Sequence, residues 1–252
     1  MTTTYFTSPE GRRLAYRASA PTHSPLTYVW LSGFKSDMSG TKVTELEAWA
    51  TEAGHGFLAF DYSGHGLSDG AFEDGTISAW REDALAAIDA HSTGPIVLVG
   101  SSMGGWMALL AALARPDRVA GLVLIAPAPD FTEKLMWPEF SAEAQSEIME
   151  QGFTQRPSDY DEPYTITRAL IEDGQTWQIL DAPIELDIPV RILQGMQDAD
   201  VPWKHAERLV DTITSEDLVF TLIKDGDHRL SREQDIARLK TTCAEIATAT
   251  RP

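Results

Sequence analysis

The sequence predicts an α/β protein with a mostly parallel central sheet, helices on both faces of that sheet and an inserted helical cap. Three observations carry this. Short β-rich runs alternate with longer runs of helical period along most of the chain. One run, Val119–Ile125, is apolar at nearly every position, as a strand buried on both faces must be. The alternation breaks between residues 127 and 189, where Pro138, Pro157, Pro163, Pro183 and Pro189 interrupt short helical candidates, and then it resumes.

Alternation on either side of Ser8-Pro9-Glu10-Gly11 reads as a hairpin. A strand at Thr27–Leu31, a helix over 41–54, a strand over 57–61 and a helix over 76–91 follow. In the first helix Val43, Leu46, Trp49, Ala50 and Ala53 share a face, and in the second Ile77, Trp80, Ala84, Leu85 and Ile88 do, so each can lie on a sheet. Gly54 is placed to stop the first. Next come a strand over 95–100, a small-residue-rich helix over 104–115 and the strand Val119–Ile125. The interrupted stretch holds helical candidates at 141–151 and 164–172. Strands at Val190–Gly195 and Leu218–Ile223 then flank a helix at 205–212, and a last helix opens where Ser231 and Gln234 can form a capping box. With 252 residues, 43% of them hydrophobic, the chain can bury one large core. We expect a single domain over 1–252, with 127–189 as its inserted cap.

Acidic residues outnumber basic ones 38 to 20, a formal charge of -18, so nucleic acid is repelled and is not an expected partner. The charge reads as serving solubility, with steering of a cationic substrate as the alternative. Cys243 is the single cysteine, so no internal disulfide can form, and its apolar-periodic surroundings make it a small buried hydrophobe. No run is long enough to cross a bilayer, and the opening stretch lacks the apolar core of a signal peptide. These features lead us to expect a cytoplasmic protein.

Gly100-Ser101-Ser102-Met103-Gly104 fits G-x-S-x-G, in which a strained turn lifts a serine hydroxyl out of a sheet toward substrate. The run lies between the apolar strand Ile96-Val97-Leu98-Val99 and a helix that opens with Gly104-Gly105, the strand-turn-helix setting the mechanism needs. A serine hydroxyl is a poor nucleophile near neutral pH, so it needs a base, and the base needs a carboxylate to orient it. In the order such sheets use, acid and then histidine follow the serine, on loops after later strands. His228, in Gly226-Asp227-His228, follows the last strand. His23, His55, His65 and His91 precede the serine, and His205 falls in a helical pattern, where a solvated face is expected. Asp198 sits just past the strand Val190–Gly195; Asp200 competes on spacing, and Asp130 is a more distant third. Acyl transfer also needs donors for the developing oxyanion. The Met103 N–H and, in Ser32-Gly33-Phe34 after the first buried strand, the Phe34 N–H are the candidates.

Two other patterns are set aside. Asp61-Tyr62-Ser63-Gly64-His65-Gly66-Leu67-Ser68-Asp69-Gly70 resembles a nucleotide loop, but Asp69 stands where the third glycine is needed and no helix opens there, so it reads as a plain loop. Acids such as Asp225 and Asp227 lack metal-ligand spacing with other histidines or cysteines, so no metal is expected, and the acyl-transfer chemistry needs no cofactor.

With these residues in hand, nearly the whole chain resembles the α/β-hydrolase superfamily. The segments Gly33 through Lys42, Asp61 through Gly70, Gly100 through Trp106, Gly195-Met196-Gln197-Asp198 with Val201-Pro202-Trp203, and Asp227-His228-Arg229 are similar to its abhydrolase-domain branch of mitochondrial palmitoyl-protein thioesterases and acyl-glucuronide esterases. The resemblance implies a triad of Ser102, Asp198 and His228, and so selects Asp198 over Asp200. The chain departs from that branch in lacking a targeting segment, which leads us to expect a bacterial cytosolic relative. Apolar bulk near the motifs and in the cap, with Trp106, Met136, Trp137 and Trp203 foremost, can line an acyl pocket, although aromatic residues also pack cap against core. A small-molecule or protein-linked acyl ester or thioester is the expected substrate. The same triad also serves carbon-carbon bond hydrolases and perhydrolases, and the scaffold can serve as a ligand receptor.

Overall fold

The computed structural model describes residues 2–156 and 164–250; Pro157 and Pro163, two of the helix-interrupting prolines, lie outside them. Eight strands form one sheet: β1 (Thr4–Thr7), β2 (Arg13–Ser19), β3 (Thr27–Leu31), β4 (Gly56–Phe60), β5 (Ile96–Ser101), β6 (Val119–Ile125), β9 (Val190–Gly195) and β10 (Leu218–Ile223), in spatial order β1-β2-β4-β3-β5-β6-β9-β10. Only β1 with β2 and β2 with β4 pair antiparallel; every other neighbour is parallel. The helices are α1 (Thr41–Glu52), α2 (Ile77–His91), α3 (Met103–Ala114), α6 (Trp203–Thr212) and α7 (Glu233–Ala249), with α4 and α5 in the segment described below.

Side-chain alternation explains why the central strands read as unbroken apolar runs. Along β5, Ile96 and Leu98 enter one core, and Val97 and Val99 the other. Along β6, Leu122 and Leu124 divide from Val123 and Ile125 in the same way. The first core holds Trp80 and Ile88 of α2, Trp106 of α3 and Leu209 of α6. The second holds Val43 and Leu46 of α1 and Leu239, Cys243 and Ile246 of α7. Both faces are thus closed, and each buried Leu, Ile or Val is stabilising by about 1.5–3 kcal/mol relative to exposure.

Between β6 and β9 the chain forms a π-turn at Thr132–Met136, a 3-10 turn at Trp137–Glu139, then α4 (Ala142–Gln151), β7 (Phe153–Arg156), β8 (Tyr164–Thr167) and α5 (Arg168–Thr176). The stretch beginning at Tyr164, expected to be helical, starts as a strand. Its β-branched run Thr165-Ile166-Thr167 pairs with β7 antiparallel, and Thr167 then caps α5 by accepting the Leu170 N–H. Ile148, Ile166 and Ile171 form a small cluster of their own here, bordered by Met136, Trp137 and Phe34.

The last helix also starts differently from expectation. Its N-cap is Arg232, whose backbone N–H is accepted by the Asp235 carboxylate at 3.3 Å, while the Ser231 hydroxyl turns back to the Arg229 carbonyl at 3.0 Å. Asp235 does the work assigned to Gln234, because a carboxylate at the third helical position accepts an orphan N–H and also pairs with the Arg232 guanidinium at 2.7 Å.

Leu98 is fully buried at the centre of the sheet. Leu98→Ala should lower unfolding free energy by about 2–5 kcal/mol, measured by urea titration at unchanged m-value; a loss below 1 kcal/mol would contradict the packing described.

Candidate active site

Ser102 occupies the joint between β5 and α3 with φ 56° and ψ -120°, a region L-residues avoid at a cost of about 1–3 kcal/mol. The turn is that tight because the strand and helix backbones nearly touch. A Cβ on Gly100 would collide with the Gly104 carbonyl, and one on Gly104 with the Leu31 carbonyl, so glycine is required at both. The strained residue is held from both sides: its N–H donates to the Ile125 carbonyl at 2.9 Å, and its carbonyl accepts from Gly105 at 2.8 Å and Ala128 at 3.1 Å.

Two loops at the same edge of the sheet meet the hydroxyl. His228, beyond β10, sets Nε2 3.2 Å from Ser102 Oγ and Nδ1 2.8 Å from Asp198 Oδ2. Asp198, just past β9, has a side chain with no exposed surface. Its Oδ1 accepts the Asp200 N–H at 3.0 Å and the Val201 N–H at 2.8 Å, and its Oδ2 accepts the Gln194 side-chain amide at 3.0 Å. With the carboxylate acting as acceptor, His228 Nδ1 carries the hydrogen and Nε2 offers its lone pair to the serine. Asp200, the competitor on spacing, is exposed and contributes only its backbone N–H.

Gln194 was not singled out in the sequence. It is fully buried at the end of β9, and its amide also donates to the Gly195 carbonyl at 3.1 Å and the Val201 carbonyl at 3.0 Å, so it ties strand to loop around Asp198. An amide among the apolar residues of a buried strand was the available signal. Lys42, at the start of α1, was also missed; its ammonium donates to the Arg229 carbonyl beside His228. Burial pushes Lys42 down to about 8, with Asp227 opposing. His205, expected on a solvated face, is buried instead: its Nε2 lies 2.8 Å from the Pro129 carbonyl, and burial lowers its pKa. The α6 face that carries it packs on the sheet. Asp130 is engaged elsewhere, accepting the Ile179 and Leu180 N–H groups at 2.9 Å each.

Met103 is the first residue of α3, where an N–H has no partner within the helix. The loop carrying Phe34 lies against the elbow, since a Cβ on Gly33 would sit 3.2 Å from the Ser101 carbonyl and 3.4 Å from Ser102 Cβ. The Phe34 ring stands edge-on to Phe72 at 4.9 Å and Phe131 at 5.6 Å. Met136 and Phe34 border both the main core and the Ile148 cluster, and Trp137 borders the latter. Trp106 and Trp203 are not part of this group. Trp106 is fully buried, edge-on to Phe131 at 5.8 Å, because its place on α3 turns it into the core. Trp203 opens α6 with the Lys204 ammonium 4.0 Å over its ring. Two surface grooves, about 410 Å³ along α4 and about 250 Å³ between Arg81, Leu110 and Trp177, include none of Ser102, His228 and Phe34 in their linings.

Asp198, Asp200 and His228 place ligand atoms within 4.8 Å of one another, as a cation site does. The Asp198 oxygens, however, already receive three N–H donors besides His228, and both His228 nitrogens are engaged. That donor set fits a proton-handling pair better than a metal centre.

A doubly covered parallel sheet with a strained serine at a strand-helix joint is the architecture of a broad hydrolase class, and the comparison with known sequences agrees: the profile of the alpha/beta hydrolase family matches residues 24–240, so the chain belongs to that family. It is 35% identical over 247 residues to the rat (Rattus norvegicus) mitochondrial palmitoyl-protein thioesterase ABHD10, covering 97% of this chain and 82% of that protein. The solved structure of the mouse alpha/beta hydrolase domain-containing protein 10 superposes with a TM-score of 0.89 at 34% identity, covering 98% of this chain and 99% of that one. A solved structure from Agrobacterium vitis S4 superposes at 0.94 with 44% identity, covering 98% of each.

These relatives overturn the cytoplasmic expectation. ABHD10 proteins from five mammals are named mitochondrial, not cytoplasmic. The features behind the expectation, a lone buried cysteine and the lack of a long apolar run, suit any reducing aqueous compartment equally. Among the described residues no helix is long and apolar enough to cross a membrane.

Gln194→Leu should slow covalent labelling of Ser102 by a fluorophosphonate at least about tenfold, since small displacements of a catalytic group cost up to about a hundredfold. Asp200→Asn should change it less than about twofold. Equal effects of the two would contradict the arrangement around Asp198.

Proposed function

We propose that this hydrolase is a serine hydrolase that cleaves acyl thioesters or carboxylic esters through an acyl-enzyme on Ser102. The observation that carries the reading is the unbroken hydrogen-bonded chain from Ser102 Oγ through His228 to a buried Asp198, set at a strained elbow. His228 Nε2 takes the hydroxyl proton as Oγ attacks the acyl carbonyl, and Asp198 keeps the imidazole in the tautomer that can do so. The N–H groups of Met103 and Phe34 receive the negative charge that develops on the carbonyl oxygen. His228 then returns the proton to the departing thiol or alcohol, and water, deprotonated by the same nitrogen, releases the acid.

Two features support an apolar acyl group. Phe34, the proposed oxyanion donor, lies with Met136 at the seam between the main core and the Ile148 cluster, so an acyl chain entering there meets carbon on both sides. The ABHD10 relatives are named palmitoyl-protein thioesterases, whose substrate is a long acyl thioester. In this reading the described residues within 127–189 form the cap over that seam, and Met136 and Trp137 are its substrate-facing members.

The test is a panel of nitrophenyl acyl esters, acyl thioesters and an acyl glucuronide. Ser102→Ala should reduce kcat/KM at least about 10⁴-fold on every substrate the native protein accepts, with an unchanged melting temperature. Retention of near-native turnover by that variant would refute the serine mechanism.

A further inference from the structure

The loop Asp61 through Gly70, set aside in the sequence as a plain loop, carries a histidine directly behind the proposed oxyanion donor. Lys35, the residue after Phe34, is in the left-handed region with φ 53°, a conformation that a non-glycine residue adopts only when something holds it. Its N–H donates to His65 Nε2 at 3.2 Å. On the other side of the ring, His65 Nδ1 lies 3.2 Å from the Ser63 carbonyl. A carbonyl can only accept, so Nδ1 carries the hydrogen and Nε2 is the bare acceptor. One tautomer of one protonation state satisfies both contacts. A second proton on Nε2 would set two N–H donors against each other.

The ring is caged. His65 is 4% exposed, with Tyr62, Phe72 and Trp80 edge-on at 5.7, 5.2 and 5.2 Å. Phe72 and Trp80 also stand against the Phe34 ring, at 4.9 and 5.9 Å, so the histidine and the oxyanion loop share one set of walls. The charged groups facing it are Lys35 and Asp37 on the loop; its own segment contributes the Ser63 carbonyl, and the walls from beyond Gly70 and from α2 are the uncharged Phe72 and Trp80. Nearby, the buried Asp61 carboxylate accepts the Met38 N–H at 2.7 Å and the Leu67 N–H at 2.9 Å, which pins the two loops together a second time.

We infer that His65 is a positioning residue for the oxyanion hole: as a neutral acceptor it holds the Lys35 backbone in its left-handed turn and thereby aims the Phe34 N–H at the reacting carbonyl. This rests on the serine-hydrolase reading and deepens it. Burial, foremost, pushes His65 below the ordinary histidine pKa, and Lys35 adds to this, while the Ser63 bond and Asp37 oppose it. The acceptor is therefore in place at neutral pH. In the unfolded chain the ring takes its proton at the ordinary value, so the stabilisation it lends the fold is present above that value and is lost as pH falls below it.

The experiment compares His65→Leu and His65→Gln with the native protein on one nitrophenyl ester, beside Ser102→Ala. Gln can place an amide oxygen near the position of Nε2, and Leu offers no acceptor. His65→Leu should lower kcat about a hundredfold with KM changed less than threefold, the loss expected when one oxyanion donor is misplaced. His65→Gln should recover at least tenfold of that. At the acid end, log kcat of His65→Gln should fall less steeply with falling pH than that of the native protein, because glutamine has no acceptor to protonate. Loss of turnover in Ser102→Ala with near-native kcat in His65→Leu overturns the positioning role and leaves the serine mechanism standing, as does equal loss in the Leu and Gln variants. Retained turnover in Ser102→Ala sinks the underlying reading instead. Should His65→Leu fail to fold, the acid limb decides: equal steepness in the native and Gln proteins overturns the inference.

Discussion

The approach of α3 to β5 and β3 is the constraint on which the rest depends. A helix that starts directly at the end of a buried strand has room for its first turn only if the strand and helix backbones touch, and that contact is possible because Gly100 and Gly104 have no side chains. The same closeness forces Ser102 into its strained conformation and raises its side chain above the end of the sheet. Strain of this kind survives only where the surroundings over-determine it, and here the two closed cores do so.

From that joint, the arrangement of the site is a matter of polar accounting. Loops at the ends of strands expose backbone groups, and each loop here is disciplined by a buried acceptor: Asp198 for the turn after β9, Asp130 for the approach to β9, and Asp61 for the loops after β3 and β4. Each carboxylate takes two backbone N–H groups that no strand or helix pairs. His65 takes one more at the left-handed Lys35, and Gln194 braces Asp198 from inside the sheet. Rigid loops on a rigid sheet are what bring Ser102, His228 and Asp198, which are far apart in sequence, to hydrogen-bonding distance.

How much of this was legible follows from where each signal lies. The central strands were readable because β5 and β6 are covered on both faces and so are apolar at successive positions. The elbow was readable because its glycines and serine are local to one turn. His228 and Asp198 could be singled out because each follows a strand at the active edge, although choosing Asp198 over Asp200 needed either the resemblance or the geometry. Tyr164–Thr167 was misread because its antiparallel partner Phe153–Arg156 lies outside the segment's own pattern, and pairing outweighed that helical pattern. His205 was misread because the sequence of a single helix does not reveal how far its covered face extends. Gln194 and His65 act only through contacts to loops remote in sequence, which no local pattern displays. Trp106, a large aromatic next to Ser102 in the fold, packs in the core.

The central claim is that Ser102 carries the acyl group during turnover. Its most direct test is to mix the protein with an acyl thioester, quench in acid within the first turnover, and map the added mass by proteolysis and mass spectrometry. The account predicts one acyl adduct, on the peptide containing Ser102, that disappears when the substrate is exhausted. Turnover with no acyl-protein at any time, or an adduct on another residue, would contradict it.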